Sequence, residues 1–104
     1  MAAKVPGLAA LFRVLGDETR LGILLALAEG ERGVTDVCAA LGAPQPTVSH
    51  HFAILRRSRL VTHRREGKRI FYRLGPLARV AGPMTFRFEG PRFSLTIGLR
   101  DSER

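Results

Sequence analysis

The chain has 104 residues, of which 45% are hydrophobic and 25% charged, with 17 Lys and Arg against 9 Asp and Glu for a formal net charge of +8. That apolar fraction fills a core and excludes wholesale disorder, and the longest apolar run, Ile23 to Ala28, is far short of the roughly 18 residues that span a bilayer. The length predicts one domain over 1–104. The single cysteine, Cys38, cannot staple its own chain. Lys4 is followed by a break at Pro6-Gly7, which is no secretory signal, so the expectation is a cytoplasmic protein.

The charge is unevenly spread. Asp17, Glu18, Glu29, Glu31 and Asp36 fall early, whereas Arg56, Arg57, Arg59, Arg64, Arg65, Lys68, Arg69 and Arg73 crowd a stretch holding Glu66 as its lone acid. A basic unit of this kind is either a solvated face or the footprint of a polyphosphate partner.

Leu8, Leu11, Phe12 and Leu15 recur at helical spacing and predict a first helix over about Gly7–Leu15, ended by Gly16. Asp17 is the expected cap of a second helix, whose stripe of Leu21, Leu24, Leu25 and Ala28 is backed by Ile23 and Leu27. A helix apolar on more than one side belongs at the centre of the core. Thr35 is the candidate cap of a short helix over Asp36–Leu41, stopped by Gly42. A fourth helix then runs from Gln45 or Pro46 to Arg57 or Ser58, with Val48, Phe52 and Leu55 inward. Proline is tolerated in its first turn, and two helices joined by a tight turn at Gly42 make a helix-turn-helix.

The period then changes. Leu60–Arg65 and Lys68–Leu74 read as strands around a Glu66-Gly67 loop, which in a primed turn sets Arg65 opposite Lys68 and Arg64 opposite Arg69. Like charges facing each other weaken an isolated hairpin, so four cations at one tip suggest an anionic neighbour. Past Gly75-Pro76 the pattern is indistinct until Gly82-Pro83. Met84, Phe86 and Phe88, then Phe93, Leu95, Ile97 and Leu99, alternate with polar residues around Gly90-Pro91. This predicts a second hairpin over 84–99 with Phe88 opposite Phe93, Phe86 opposite Leu95 and Met84 opposite Ile97. Helices, helix-turn-helix and basic hairpin in this order are those of a winged helix. The second helix of such a unit fits the major groove of DNA, and the hairpin beside it carries cations to phosphates or the minor groove.

The segments Leu15-Gly16-Asp17-Glu18-Thr19-Arg20-Leu21, Gln45-Pro46-Thr47-Val48-Ser49-His50-His51-Phe52-Ala53-Ile54-Leu55 and Arg64-Arg65-Glu66-Gly67-Lys68-Arg69-Ile70-Phe71-Tyr72-Arg73-Leu74 resemble the LGDxTRL, recognition-helix and wing blocks of the ArsR/SmtB repressors. Three blocks in order, covering about Leu8 to Leu74, make a specific likeness. It implies an α+β winged helix-turn-helix over 7–74; over 75–104, where relatives end in a helix, the alternation gives a C-terminal β-hairpin instead. The implied function is a homodimeric transcriptional repressor on a palindromic double-stranded operator, located with the nucleoid in the cytoplasm. By position, Gln45, Thr47, Ser49 and His50 become the groove-facing set. Gln45 suits a bidentate contact to adenine, and Thr47 and Ser49 a base edge or phosphate. His51 serves the same surface, unless either histidine is scaffold. Arg56 and Arg57 are phosphate contacts or solvated charges. Arg64, Arg65, Lys68 and Arg69 give affinity rather than sequence reading. The chain departs from the family at Pro44, where relatives often carry a capping Ser.

Many relatives sense metals through thiolates in a CVCDLC stretch. Here that stretch is Gly33-Val34-Thr35-Asp36-Val37-Cys38, and one thiolate is not a metal site. No histidine follows His63, so no metal or other cofactor is expected. A site of His50, His51 and His63 across a dimer and a redox role for Cys38 are the alternatives, with a buried small residue the simpler reading of Cys38. Leu8, Leu11, Phe12, Phe86, Phe88, Phe93, Leu95 and Ile97 are the expected dimer surface, formed where the hairpin packs on the first helix, unless the hairpin lines an apolar ligand pocket or only covers its own core. The rival of another class is a winged helix used to bind protein. An enzyme is not expected, because the chain has no phosphate-cradling glycine loop, metal-ligand spacing or paired carboxylates.

Overall fold

The computed structural model describes residues 5–100; residues 1–4, including Lys4, and 101–104, the two ends of the predicted 1–104 unit, lie outside them. Helix α1 spans Val5–Leu15. It begins two residues ahead of the expected start, because Pro6 falls in a first turn where its missing N–H has no partner to lose. Helix α2, Glu18–Leu27, starts as its sequence implies, with Asp17 extended and its carboxylate accepting the Arg20 amide at 3.0 Å. Its residues Ile23, Leu24 and Leu27 are buried.

Strand β1, Arg32–Gly33, was not legible in the sequence. It corrects the start of the next helix: α3 is Val34–Leu41, with Gly33 in the cap position and no side-chain cap, rather than Asp36–Leu41 behind Thr35. The reason is tertiary. Gly33 pairs with Phe71 and Arg32 with Tyr72, so the sheet delivers the chain to Val34, whose side chain is buried. Gly42 ends α3 in the left-handed region at φ 62°. There the Ala43 amide reaches back to the Cys38 carbonyl at 3.2 Å, a conformation glycine adopts without the steric cost of a Cβ. Helix α4, Gln45–Arg57, follows and buries Val48, Phe52 and Leu55.

Strands β2, Val61–Glu66, and β3, Arg69–Leu74, form the wing, in a sheet of order β1-β3-β2. Its loop is Gly67-Lys68, not Glu66-Gly67, and the register moves with it: Glu66 faces Arg69, Arg65 faces Ile70 and Arg64 faces Phe71. Gly67 at φ 63° takes the first loop position. A turn needing positive φ only there demands nothing of Glu66, whereas the expected loop would have forced Glu66 into the left-handed region. The anticipated like-charge pairs are therefore absent, and an acid faces a base at the tip.

The C-terminal segment is a three-stranded sheet, β4 Ala78–Gly82, β5 Thr85–Gly90 and β6 Phe93–Gly98, in that order. Strand β4 occupies the stretch that the sequence left indistinct. The β5–β6 loop is Pro91-Arg92, so Gly90 pairs with Phe93, Phe88 with Leu95 and Phe86 with Ile97. Proline, fixed near φ −65°, suits the first loop position that the structure gives it. In both hairpins the pairing moves by two residues, which preserves every side chain's face.

One apolar cluster joins the two sheets and four helices. Ile23, Leu24, Leu27, Val37, Val48, Phe52 and Leu55 form its middle, and Phe86 and Phe88 close it from β5. Of the residues expected at a dimer surface, Leu11, Phe86 and Phe88 are buried in the chain's own core. Leu8, Phe93, Leu95 and Ile97 are half-buried, and Phe12 remains 50% exposed.

Candidate nucleic-acid interface

Two elements meet at one surface: the N-terminal half of α4 and the wing. The buried stripe Val48, Phe52, Leu55 fixes the rotation of α4, which turns Gln45, Thr47, Ser49 and His50 to solvent. Tyr72 fixes the wing against the helix. Its ring stacks on Phe52 at 3.7 Å between centroids and on His63 at 5.4 Å, and its hydroxyl accepts from Arg56 Nη1 at 2.9 Å. Phe52 is fully buried, and such aromatic pairs add about 0.5–1.5 kcal/mol beyond burial. The angle between helix and wing is thus held by the core rather than by the loop.

The result is an open cleft of about 200 Å³ whose walls are Gln45 and Ser49 of α4, Lys68, Arg69 and Ile70 of the wing, and Thr35 of α3. Thr35, expected as a cap, is instead a wall of this cleft, exposed in the first turn of α3. Its position at the start of the helix-turn-helix, in the first turn of α3, is the signal that could have found it. Thr47 and His50 are exposed beside the cleft rather than in its lining. The first turn of α4 carries no side-chain cap from Pro44, and Pro46 has no amide to donate. The departure from the family at Pro44 therefore leaves first-turn amides uncapped at the positive end of the helix dipole.

The wing cations divide into two sorts. Arg64 donates through Nε and Nη2 to both carboxylate oxygens of Glu31 at 2.9 and 2.8 Å and lies 3.5 Å from Glu66. The Arg64 hydrogen bonds hold the Glu31 carboxyl below the ordinary 4.5, and Glu31 in turn raises the Arg64 guanidinium. Arg69 approaches Asp36 at 3.8 Å. Arg64 and Arg69 also both stack over Phe71, each 4.7 Å from its centroid. Among the described residues, Arg65 and Lys68 have no acidic partner within 4.0 Å. The local sequence gave no sign of this division, because Glu31 and Arg64 are 33 residues apart.

His51 and Arg57 point elsewhere. His51 Nδ1 lies 3.0 Å from Arg20 Nη1 and 3.7 Å from Asp17 Oδ2, and its side chain is 14% exposed. Arg20 itself donates to the Val14 carbonyl at 2.6 Å. The same Asp17 carboxyl is held below the ordinary 3.8, first by the Arg20 amide and then by the charge of His51 and Arg20. His51 thus docks α4 on the start of α2. His50 meets it edge-on at 5.2 Å. Arg57 lines a groove with Ala10, Leu11 and Val14 of α1 and is not among the walls of the cleft between α4 and the wing. Cys38 is half-buried in α3 as a free thiol.

A helix-turn-helix at α3–α4 with a two-stranded wing beside it, packed on two further helices, defines a winged helix-turn-helix protein. The comparisons with known proteins agree with this class. A model described as "Bacterial regulatory protein, arsR family" matches residues 17–63. The chain is 54% identical over 67 residues to the arsenical resistance operon repressor of Escherichia coli, a match covering 64% of this chain and 57% of that relative. Among solved structures, reduced HlyU from Vibrio cholerae superposes with a TM-score of 0.69 at 33% identity, covering 73% of this chain and 80% of that one. A homodimeric winged helix-turn-helix DNA-binding domain from Mycobacterium bovis, described as a possible ArsR-family transcriptional regulator, gives 0.64 at 38% identity, covering 70% and 68%. The chain belongs to the ArsR family of bacterial regulatory proteins. It spans little more than half the length of the E. coli repressor, and that match covers 64% of this chain.

Proposed function

We propose that this chain is a homodimeric, sequence-specific DNA-binding transcriptional repressor. The observation that carries the reading is the shared cleft: Gln45 and Ser49 on one wall, Lys68 and Arg69 on the other, so that a helix tip suited to base edges and a cationic turn face the same space. In this reading α4 enters the major groove of double-stranded DNA. Gln45, Thr47, Ser49 and His50 meet base edges and neighbouring phosphates. The uncapped first-turn amides of α4 serve a phosphate oxygen. Arg65 and Lys68 are the principal wing contacts, and Arg56 holds Tyr72 with its remaining donors toward the backbone. His51 positions the helix through Arg20, and Arg57 is left outside the contact set.

A symmetric dimer reads a palindromic operator with half-sites about 34 Å apart. Residues 7–74 carry these contacts, and residues 75–100 complete the same unit. No helix among the described residues is long and apolar enough to cross a membrane, and the working location in this reading is the cytoplasm, on the nucleoid. The chain acts by occupying DNA rather than by catalysis.

The test is capture of sheared genomic DNA by the purified chain, followed by sequencing and an anisotropy titration of the enriched fragment against random duplex. Enrichment of a two-fold symmetric sequence, bound at least 10³-fold more tightly than random DNA, is the expected result. Equal affinity for all duplexes overturns the sequence-specific reading, and no affinity at low salt overturns DNA binding itself.

A further inference from the structure

We propose that β6 is the strand by which two copies of this chain join, running antiparallel to its own copy across a two-fold axis at Thr96. The proposal rests on the homodimer reading above and names its surface. Strand β6 is an edge of its sheet. The Leu99 amide donates to the Met84 carbonyl at 2.8 Å, and Gly90 closes the hairpin opposite Phe93. Alternation along an antiparallel ladder then turns the amides and carbonyls of Phe93, Leu95 and Ile97 toward β5 and those of Ser94, Thr96 and Gly98 outward. An unpaired row of this kind is a template for another strand.

The two edges of the sheet differ in the way that matters. Strand β4 carries Arg79 and an irregularity between Val80 and Gly82, both of which discourage pairing. Strand β6, Phe-Ser-Leu-Thr-Ile-Gly, has neither charge, proline nor bulge. An isologous contact sets every residue against a symmetry mate, so a chain of net charge +8 joins itself best through a strand with no charge of its own; the nearest cations, Arg92 and Arg100, lie outside β6, at its two ends. Beside the strand lies an apolar surface. Phe12 and Leu21, both exposed, share an apolar groove of about 260 Å³ with Ile97 and Leu99. With the axis at Thr96, Ser94 pairs with the partner's Gly98, and on the inner face Leu95 meets the partner's Ile97. Two three-stranded sheets become one continuous sheet with α1 of each copy beneath its centre.

The experiment is sedimentation velocity of the purified full chain from 1 to 100 µM (~10⁻⁶ to 10⁻⁴ M, the range in which weak and tight dimers separate), with circular dichroism as the check of folding. Thr96→Pro removes an outward amide while sparing the β5–β6 ladder, and Thr96→Lys keeps the amide but faces two ammonium groups across the axis. Thr96→Val keeps both amide and neutrality. The expected result is dimeric wild type and Thr96→Val, with dimer dissociation at least tenfold weaker in Thr96→Pro and Thr96→Lys and the Lys defect eased by salt. A wild-type dimer unmoved by folded Thr96→Pro and Thr96→Lys overturns this surface and leaves the homodimer standing. A wild type monomeric throughout overturns both.

Discussion

Neutralising Arg65 and Lys68 together should change how DNA affinity depends on salt far more than neutralising Arg64 and Arg69, although the pairs are neighbours on one hairpin. Arg64 is held by Glu31 at 2.8 Å and Arg69 approaches Asp36 at 3.8 Å, whereas neither Arg65 nor Lys68 has an acid within reach. Each phosphate neutralised by a cation contributes about −0.9 to the slope of log K against log salt. Arg65→Ala with Lys68→Ala removes two such cations per protomer and four per dimer, so the slope should become shallower by about 3.6. Between 50 and 200 mM salt that difference amounts to about 10²-fold, so the variant's deficit is largest at low salt and shrinks as salt rises. Arg64→Ala with Arg69→Ala should move the slope by less than half as much, since those charges are already partly compensated. Glu31→Gln should act in the opposite sense, freeing Arg64 and steepening the slope by up to about 0.9 per protomer. Anisotropy titrations on random duplex at a series of salt concentrations read all three. Equal flattening by the two double variants, or no steepening in Glu31→Gln, would refute the division of the wing into occupied and available cations.

Gln45→Ala should leave the salt slope unchanged and cost about 1–3 kcal/mol of discrimination between operator and random DNA, measured as a ratio of affinities on the two duplexes. Phe52→Ala opens the fully buried seam under Tyr72 and should cost about 3–5 kcal/mol in equilibrium urea unfolding; a loss below 1 kcal/mol would show that the wing is not held by that stack. Asp17 has its folded pKa lowered from 3.8, so its added stability is present above that pH and is lost as pH falls through the lower folded value. In urea midpoints taken from neutral to acid pH, Asp17→Asn should be less stable near neutrality and show a smaller loss through that window; identical acid limbs in the two proteins would remove Asp17 from the account.

The helices were legible because their signals are local. Asp17 with Arg20, the apolar spacing of α4 and the glycine after α3 each act within one or two turns of chain. What escaped was set by distant partners. The start of α3 depends on Gly33 meeting Phe71, and β1 is too short to show a period. The hairpin loops were misplaced by one residue because alternation fixes faces, not register, and Gly67 suits either loop position by sequence alone. Strand β4 was hidden because Ala-Arg-Val-Ala-Gly has no clear alternation and is ordered by pairing with β5. For the site, the residue types on α4 and the wing were readable. Their accessibility was not: His51 engages Arg20, 31 residues away, and Arg64 engages Glu31.

The Glu31–Arg64 clasp also has a kinetic meaning on the DNA-binding reading. A repressor meets an enormous excess of irrelevant duplex, and its grip there scales with the cations it can offer to phosphates. By keeping one guanidinium occupied at home, the chain shortens each stay on the wrong sequence and speeds its scan. Glu31→Gln would then be a tighter binder of DNA in general and a slower finder of its operator.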